Sequence, residues 1–146
     1  VFFSFTFGGE AVSVAAAKAT ISEFMEIDVI GHLWAQGQKL KDGLNVLAET
    51  HGLSDYVRCT GLAPRSIVVF NDSTLVLKSL FQQESAARGV LTGGYHNTCL
   101  ALTNSDIDHT LRAYNGVLKV MATAIDSGDP ARFLRGPAVE PVFRQV

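Results

Sequence analysis

The opening stretch, Val1-Phe2-Phe3-Ser4-Phe5-Thr6-Phe7-Gly8-Gly9-Glu10, runs directly into a segment rich in Ala15, Ala16, Ala17 and Ala19. Aromatic and β-branched residues dominate positions 1–7, and such a run fits a buried strand. Two consecutive glycines end it, and an alanine-rich helix follows at once. Few arrangements satisfy that order: a strand, a sharp corner, a helix. The corner also has a chemical reading. Glycines let a ligand come close to the backbone. The free N–H groups of a helix start attract an anion, most often a phosphate. Thr6 adds a hydroxyl at the same place. A plain strand–turn–helix corner has the same spacing, so the residues alone leave both readings open.

With 146 residues the chain is long enough for one domain with a real core. Its hydrophobic share, 47%, is high for a small monomer and implies that part of the surface is covered. There is no apolar run of about 18 residues, so no transmembrane helix and no membrane partner are expected. The net charge of -2 and the lack of a basic block argue against nucleic acid. Cys59 and Cys99 stand far apart with no metal-like neighbours, which fits a reduced, cytoplasmic setting. The chain starts without Met inside an apolar strand. A lone edge strand of that kind aggregates, so upstream sequence is expected to pair with it.

Further along, periodicity predicts a helix from about Glu10 to Glu26, apolar on most sides and therefore expected to be buried on most sides. A second is expected from about Asp28 to His51, with Ile30, Leu33, Gly37, Leu40, Leu44 and Leu47 on one face and Gly52 as its stop. Tyr56–Ala63 and Arg65–Phe70 read as two strands joined at Ala63-Pro64. Asn71-Asp72-Ser73 caps a third helix over about Thr74–Arg88, with Leu77, Leu80, Phe81 and Ala87 inward. A strand at Val90-Leu91-Thr92, a polar loop at Gly93–Asn97 and a returning strand at Thr98–Leu102 follow. Ser105 with Asp108 reads as a capping-box start. The last helix carries the most regular stripe, Ile107, Leu111, Tyr114, Leu118, Met121 and Ile125, and the Pro-spaced tail after Gly136 lies extended over the surface. The order predicts an α+β fold, a small antiparallel sheet covered by helices.

The run Phe3-Ser4-Phe5-Thr6-Phe7-Gly8-Gly9-Glu10-Ala11 leading into Ala15–Thr20 resembles the class III pyridoxal-phosphate aminotransferases, nearest the glutamate-1-semialdehyde aminomutase-like branch. Ala87-Arg88-Gly89-Val90-Leu91 and Leu102-Thr103-Asn104-Ser105-Asp106-Ile107-Asp108-His109-Thr110-Leu111 are similar to that branch's late segment. The ordered pair of motifs spans essentially the whole chain. The resemblance implies the small C-terminal domain of a fold type I transferase over residues 28–146. Residues 1–27 would be the end of a large-domain strand and its linking helix. It implies pyridoxal 5'-phosphate as cofactor of the full-length enzyme, a homodimer, and a small amino or carbonyl substrate. It implies that Thr6, with the backbone of Phe7 and Gly8, binds the cofactor phosphate of the other subunit. Glu10-Ala11 stands where many members have Asn-Pro, and Glu10 is expected to point away from the phosphate.

Pyridoxal chemistry needs a lysine for the cofactor and an acid at its ring nitrogen. The family's lysine and acid both precede the segment that resembles Val1. Lys18, Lys39, Lys41, Lys78 and Lys119 all fall in helical patterns. The 146-residue chain is therefore expected to be inactive alone and to hold no cofactor tightly, lacking the upstream large domain. Asn97–Leu102 has no arginine, which departs from the ornithine-type pattern. Arg65, at a strand start, and His96 and Asn97, in the polar loop, are substrate-side candidates; for Arg65 a surface ion pair is the competing reading. No Ser-His-Asp, Cys-His or metal set follows from the spacing of His32, His51, His96 and His109. The alternative function is a non-catalytic dimerisation or interaction domain derived from the same fold.

Overall fold

The computed structural model describes residues 10–140. The expected first strand, with Thr6, Phe7 and Gly8, lies outside the described residues, as does the tail beyond Glu140. The chain divides into two units, one ending at His32 and the other starting at Leu33.

Helix α1, Ala11–Glu26, occupies the first unit. The Glu10 carboxylate accepts from the Ser13 N–H and closes the helix start. None of its residues is buried, and Val12, Ile21, Phe24 and Met25 stand exposed. The sequence expectation of a helix buried on most sides is therefore not met among the described residues, where its apolar side chains stand open. Helix α2, Val29–Thr50, begins under an Asp28 cap on the Gly31 N–H at 2.9 Å and runs on into the second unit.

In the second unit, α2 turns Leu40, Leu44 and Ala48 into the core. Strands β1, Val57–Leu62, and β2, Arg65–Phe70, form an antiparallel hairpin in register from Val57↔Phe70 to Leu62↔Arg65. Two devices bind α2 to it. The Asn45 amide bonds both the N–H and the carbonyl of Cys59, at 2.8 and 3.0 Å. Gly37 meets the hairpin corner so closely that a Cβ there would stand 2.0 Å from the Ala63 carbonyl oxygen. Helix α3, Val76–Ala86, and helix α4, Asn104–Asp126, pack on each other and cover the sheet's inner face. Phe81 sits at the centre, its ring 5.3 Å from Phe70 and 5.0 Å from Tyr114 between centroids. A 3-10 turn, Pro130–Phe133, closes the unit, and the Gln83 amide holds the Phe133 carbonyl and the Arg135 N–H.

The segment between α3 and α4 differs from the sequence reading. Val90–Thr92 and Thr98–Leu102 form no ladder; a single short strand β3, Tyr95–Asn97, pairs with β2 and gives the order β1-β2-β3. The reason lies in competing hydrogen bonds. Val90 is spent on the end of α3, where its N–H bonds the Ser85 carbonyl past Gly89 at φ 81°. Thr98 is spent as a clamp: its N–H reaches the Pro64 carbonyl, and its hydroxyl lies within reach of the Pro64 and Leu33 carbonyls. The capping box of α4 is Thr103 with Asp106, two residues ahead of the expected pair, because Thr103 keeps an extended backbone and Ser105 is already helical. Ala87 is exposed rather than inward, since it caps α3. Asp72 does cap the third helix, taking the N–H groups of Thr74 and Leu77.

Candidate functional site

The sheet has one covered face and one open face. Arg58, Thr60 and Leu62 of β1, Arg65, Ile67 and Val69 of β2, and Tyr95 and Asn97 of β3 all point outward and are exposed. Arg65 stands directly opposite Asn97. The bonds Thr98 N–H to Pro64 carbonyl and Val68 N–H to Gly94 carbonyl set the phase of this ladder. Arg65 and Asn97 therefore form a non-hydrogen-bonded pair, the kind with Cα atoms about 4.5 Å apart and side chains closest. Among the outward residues of the three strands there are two guanidinium groups and no carboxylate, beside exposed Leu62, Ile67 and Tyr95. The hairpin corner beside Arg65 is fixed by Gly61 at φ 91°, whose carbonyl accepts from Lys41 Nζ at 2.9 Å. Such a face can hold an anionic group against an apolar ground.

The inner face carries a polar chain. Ser66 Oγ lies 2.9 Å from His96 Nδ1, and Tyr114 OH lies 2.9 Å from His96 Nε2. Cys59 Sγ is 3.8 Å from the same Nδ1. Burial holds His96 down at about 4 and pushes Tyr114 up to about 12. Burial also raises the Cys59 thiol. At neutral pH the three are an uncharged imidazole, a phenol and a thiol. A hydroxyl bonded to an imidazole is the geometry of a nucleophile and its base. Ser66, however, is fully buried. A pocket of about 240 Å³, bordered by Thr92, Tyr95, Asn97 and Thr98, reaches His96 and Tyr114 but not Ser66. The pair holds strands together rather than attacking a substrate.

Of the residues singled out from the sequence, Arg65 and Asn97 come together on the open face. His96 does not join them: the strand alternation turns it inward. The expected loop hid this, because Gly93-Gly94 masks a strand of only three residues. Ser66, Cys59 and Tyr114 escaped attention as site residues. Their one signal was position, since each stands at an inward step of a strand or on the α4 stripe. The five lysines fall where the helical pattern placed them. All are helical; Lys39 Nζ is 2.6 Å from Asn104 Oδ1, and Lys41 is held by Gly61.

A three-stranded antiparallel sheet covered on one side by helices fits the C-terminal domain of pyridoxal-phosphate-dependent transferases. The comparisons agree. The chain matches the solved structure of the Sphingopyxis sp. MTA144 FumI protein in its PLP internal aldimine form with a TM-score of 0.75 and 27% identity, over 90% of this chain and 32% of that one. It is also 34% identical over 85 residues to the glutamate-1-semialdehyde 2,1-aminomutase of Halorubrum lacusprofundi, covering 58% of this chain and 16% of the relative. No family model matches the chain. The likeness to class III aminotransferases read from the two sequence motifs is borne out, and so is the α+β fold. The chain spans 16% of the curated relative's length and 32% of the solved one's.

Proposed function

We propose that this chain is the C-terminal part of a pyridoxal-phosphate-dependent aminotransferase or aminomutase of class III, moving an amino group between an amine and a carbonyl or within one substrate. The observation that carries this reading is the 0.75 TM-score over 90% of the chain, at 27% identity, to a protein solved with PLP. In this reading residues 28–146 are the small domain and residues 1–27 lead out of a large domain that supplies the cofactor lysine. Thr6, with the backbone of Phe7 and Gly8, binds the cofactor phosphate of a second subunit in a homodimer. The cofactor supplies the electron sink for amino transfer. The chain's own contribution is a wall: the open sheet face, with Arg65 and Asn97 orienting a small amino or carbonyl substrate. A reduced cytoplasmic setting goes with two free cysteines, Cys59 and Cys99.

Pyridoxal 5'-phosphate titration with and without borohydride tests this, on the 146-residue chain and on the full product of its gene. The expected result is no trapped adduct on the chain and one trapped lysine, upstream of it, on the full product. A specific adduct on a lysine of this chain, Lys18 first, overturns the placement of the cofactor lysine. No cofactor on either protein overturns the enzyme reading.

A further inference from the structure

The Ser66–His96–Tyr114 chain crosses from the sheet to the helical layer at β3. β1 and β2 pair over six residues each, whereas β3 pairs over three. Among the described residues β3 is also the edge strand, with no ladder on its other side. Main-chain bonding at that edge is small, and His96 is the one β3 residue that faces inward. Its two ring nitrogens fasten β3 to β2 through Ser66 and to α4 through Tyr114. A neutral imidazole carries one N–H and one lone pair, so it donates to one of these hydroxyls and accepts from the other. A second ring proton removes the acceptor and puts a charge where no carboxylate faces it.

We propose that this hydrogen-bond chain is an acid-sensitive latch: protonating the His96 imidazole frees β3, and with it Tyr95 and Asn97, while the β1–β2 hairpin and the helical layer stay folded. The groups that face the imidazole are the Cys59 thiol from β1, the Ser66 hydroxyl from β2 and the Tyr114 phenol from α4. None of them is anionic at neutral pH. Two charged groups of α2, Lys41 and Asp42, act electrostatically on Cys59 and in opposite directions. Burial alone accounts for the depressed His96. In the freed strand the imidazole returns to an ordinary value near 6.5. The open population therefore grows about tenfold for each pH unit between about 6.5 and about 4.

The test is amide hydrogen exchange on the intact chain from pH 7 to pH 4, corrected for the intrinsic pH dependence of exchange, alongside the ring nitrogen shifts of His96. Opening of Tyr95, His96 and Asn97 is expected to rise about tenfold per pH unit, in step with His96 titration, while Cys59 and Leu118 stay far more protected than β3 at every pH. The H96Q variant, which keeps a donor and an acceptor but cannot charge, is expected to lose that pH dependence. The latch is overturned if His96 titrates without β3 opening, if β3 opens only together with Leu118, or if H96Q opens with the same pH profile. Should H96Q fail to fold, the wild-type comparison of ring titration with β3 exchange decides the question by itself.

Discussion

The two faces of one sheet are built from the same strands by alternation and yet do opposite work. Inward steps give Val57, Cys59, Ser66, Val68 and His96, all buried. Outward steps give Arg58, Leu62, Arg65, Ile67, Tyr95 and Asn97, all exposed. On the inner face each polar group has a partner, and the apolar groups belong to one buried core with Phe81, Leu118 and Met121. On the outer face apolar residues and guanidinium groups stand side by side, uncovered by any other described residue. A period-two pattern decides which residues share a face; it does not decide which face a helix will cover. Stability should therefore reside on the inner face, and tolerance of change on the outer one.

The largest effect should come from Phe81→Ala, which empties the centre against which the inner face packs. A loss of about 3–5 kcal/mol is expected in urea unfolding, and a value below 1 would mean the inner face is not the stabilising one. Next comes pH. His96 falls from about 6.5 unfolded to about 4 folded, so the unfolded state binds the proton more readily. Stability is then fully present above about pH 6.5 and is lost as pH falls toward 4, by on the order of 3 kcal/mol in total. Denaturation curves at several pH values on wild type and H96Q isolate that share. Gly37→Ala should cost roughly 1–3 kcal/mol, because the new methyl meets the Ala63 carbonyl rather than a movable side chain. A melting temperature unchanged by this substitution would show that the hairpin corner can retreat from α2. The smallest effect belongs to the open face: Ile67→Ser should change the stability of this chain by no more than about 0.5 kcal/mol. A loss as large as that of Gly37→Ala would show that the open face is covered in solution.

Much of this was legible in the residues. The β2 limits, Arg65–Phe70, follow from apolar density bounded by Pro64 and Asn71. The α4 stripe places Ile107, Tyr114, Leu118 and Met121, all of which are buried. The α2 stripe was right at Leu40 and Leu44 and wrong at Ile30, which is exposed among the described residues, because periodicity along a helix marks a face without saying how far along it a partner runs. The site was half legible. Arg65 and Asn97 could be named from type and position, yet their pairing depends on a strand too short to announce itself. His96 has the same polar sequence surroundings as Asn97, and only the β2 ladder turns it inward.

The sequence by itself determined the elements, their order and the family likeness, since these depend on local propensity, turn residues and motifs read along the chain. Tertiary structure alone decided that Cys59, Ser66, His96 and Tyr114, spread over 56 positions, meet at one buried point. It also decided that Arg65 faces away from them beside Asn97. The physical reason is that contact between distant residues depends on strand register and on which sheet face the helices cover. Both are set by packing across the whole unit, and neither is written in any short stretch of residues.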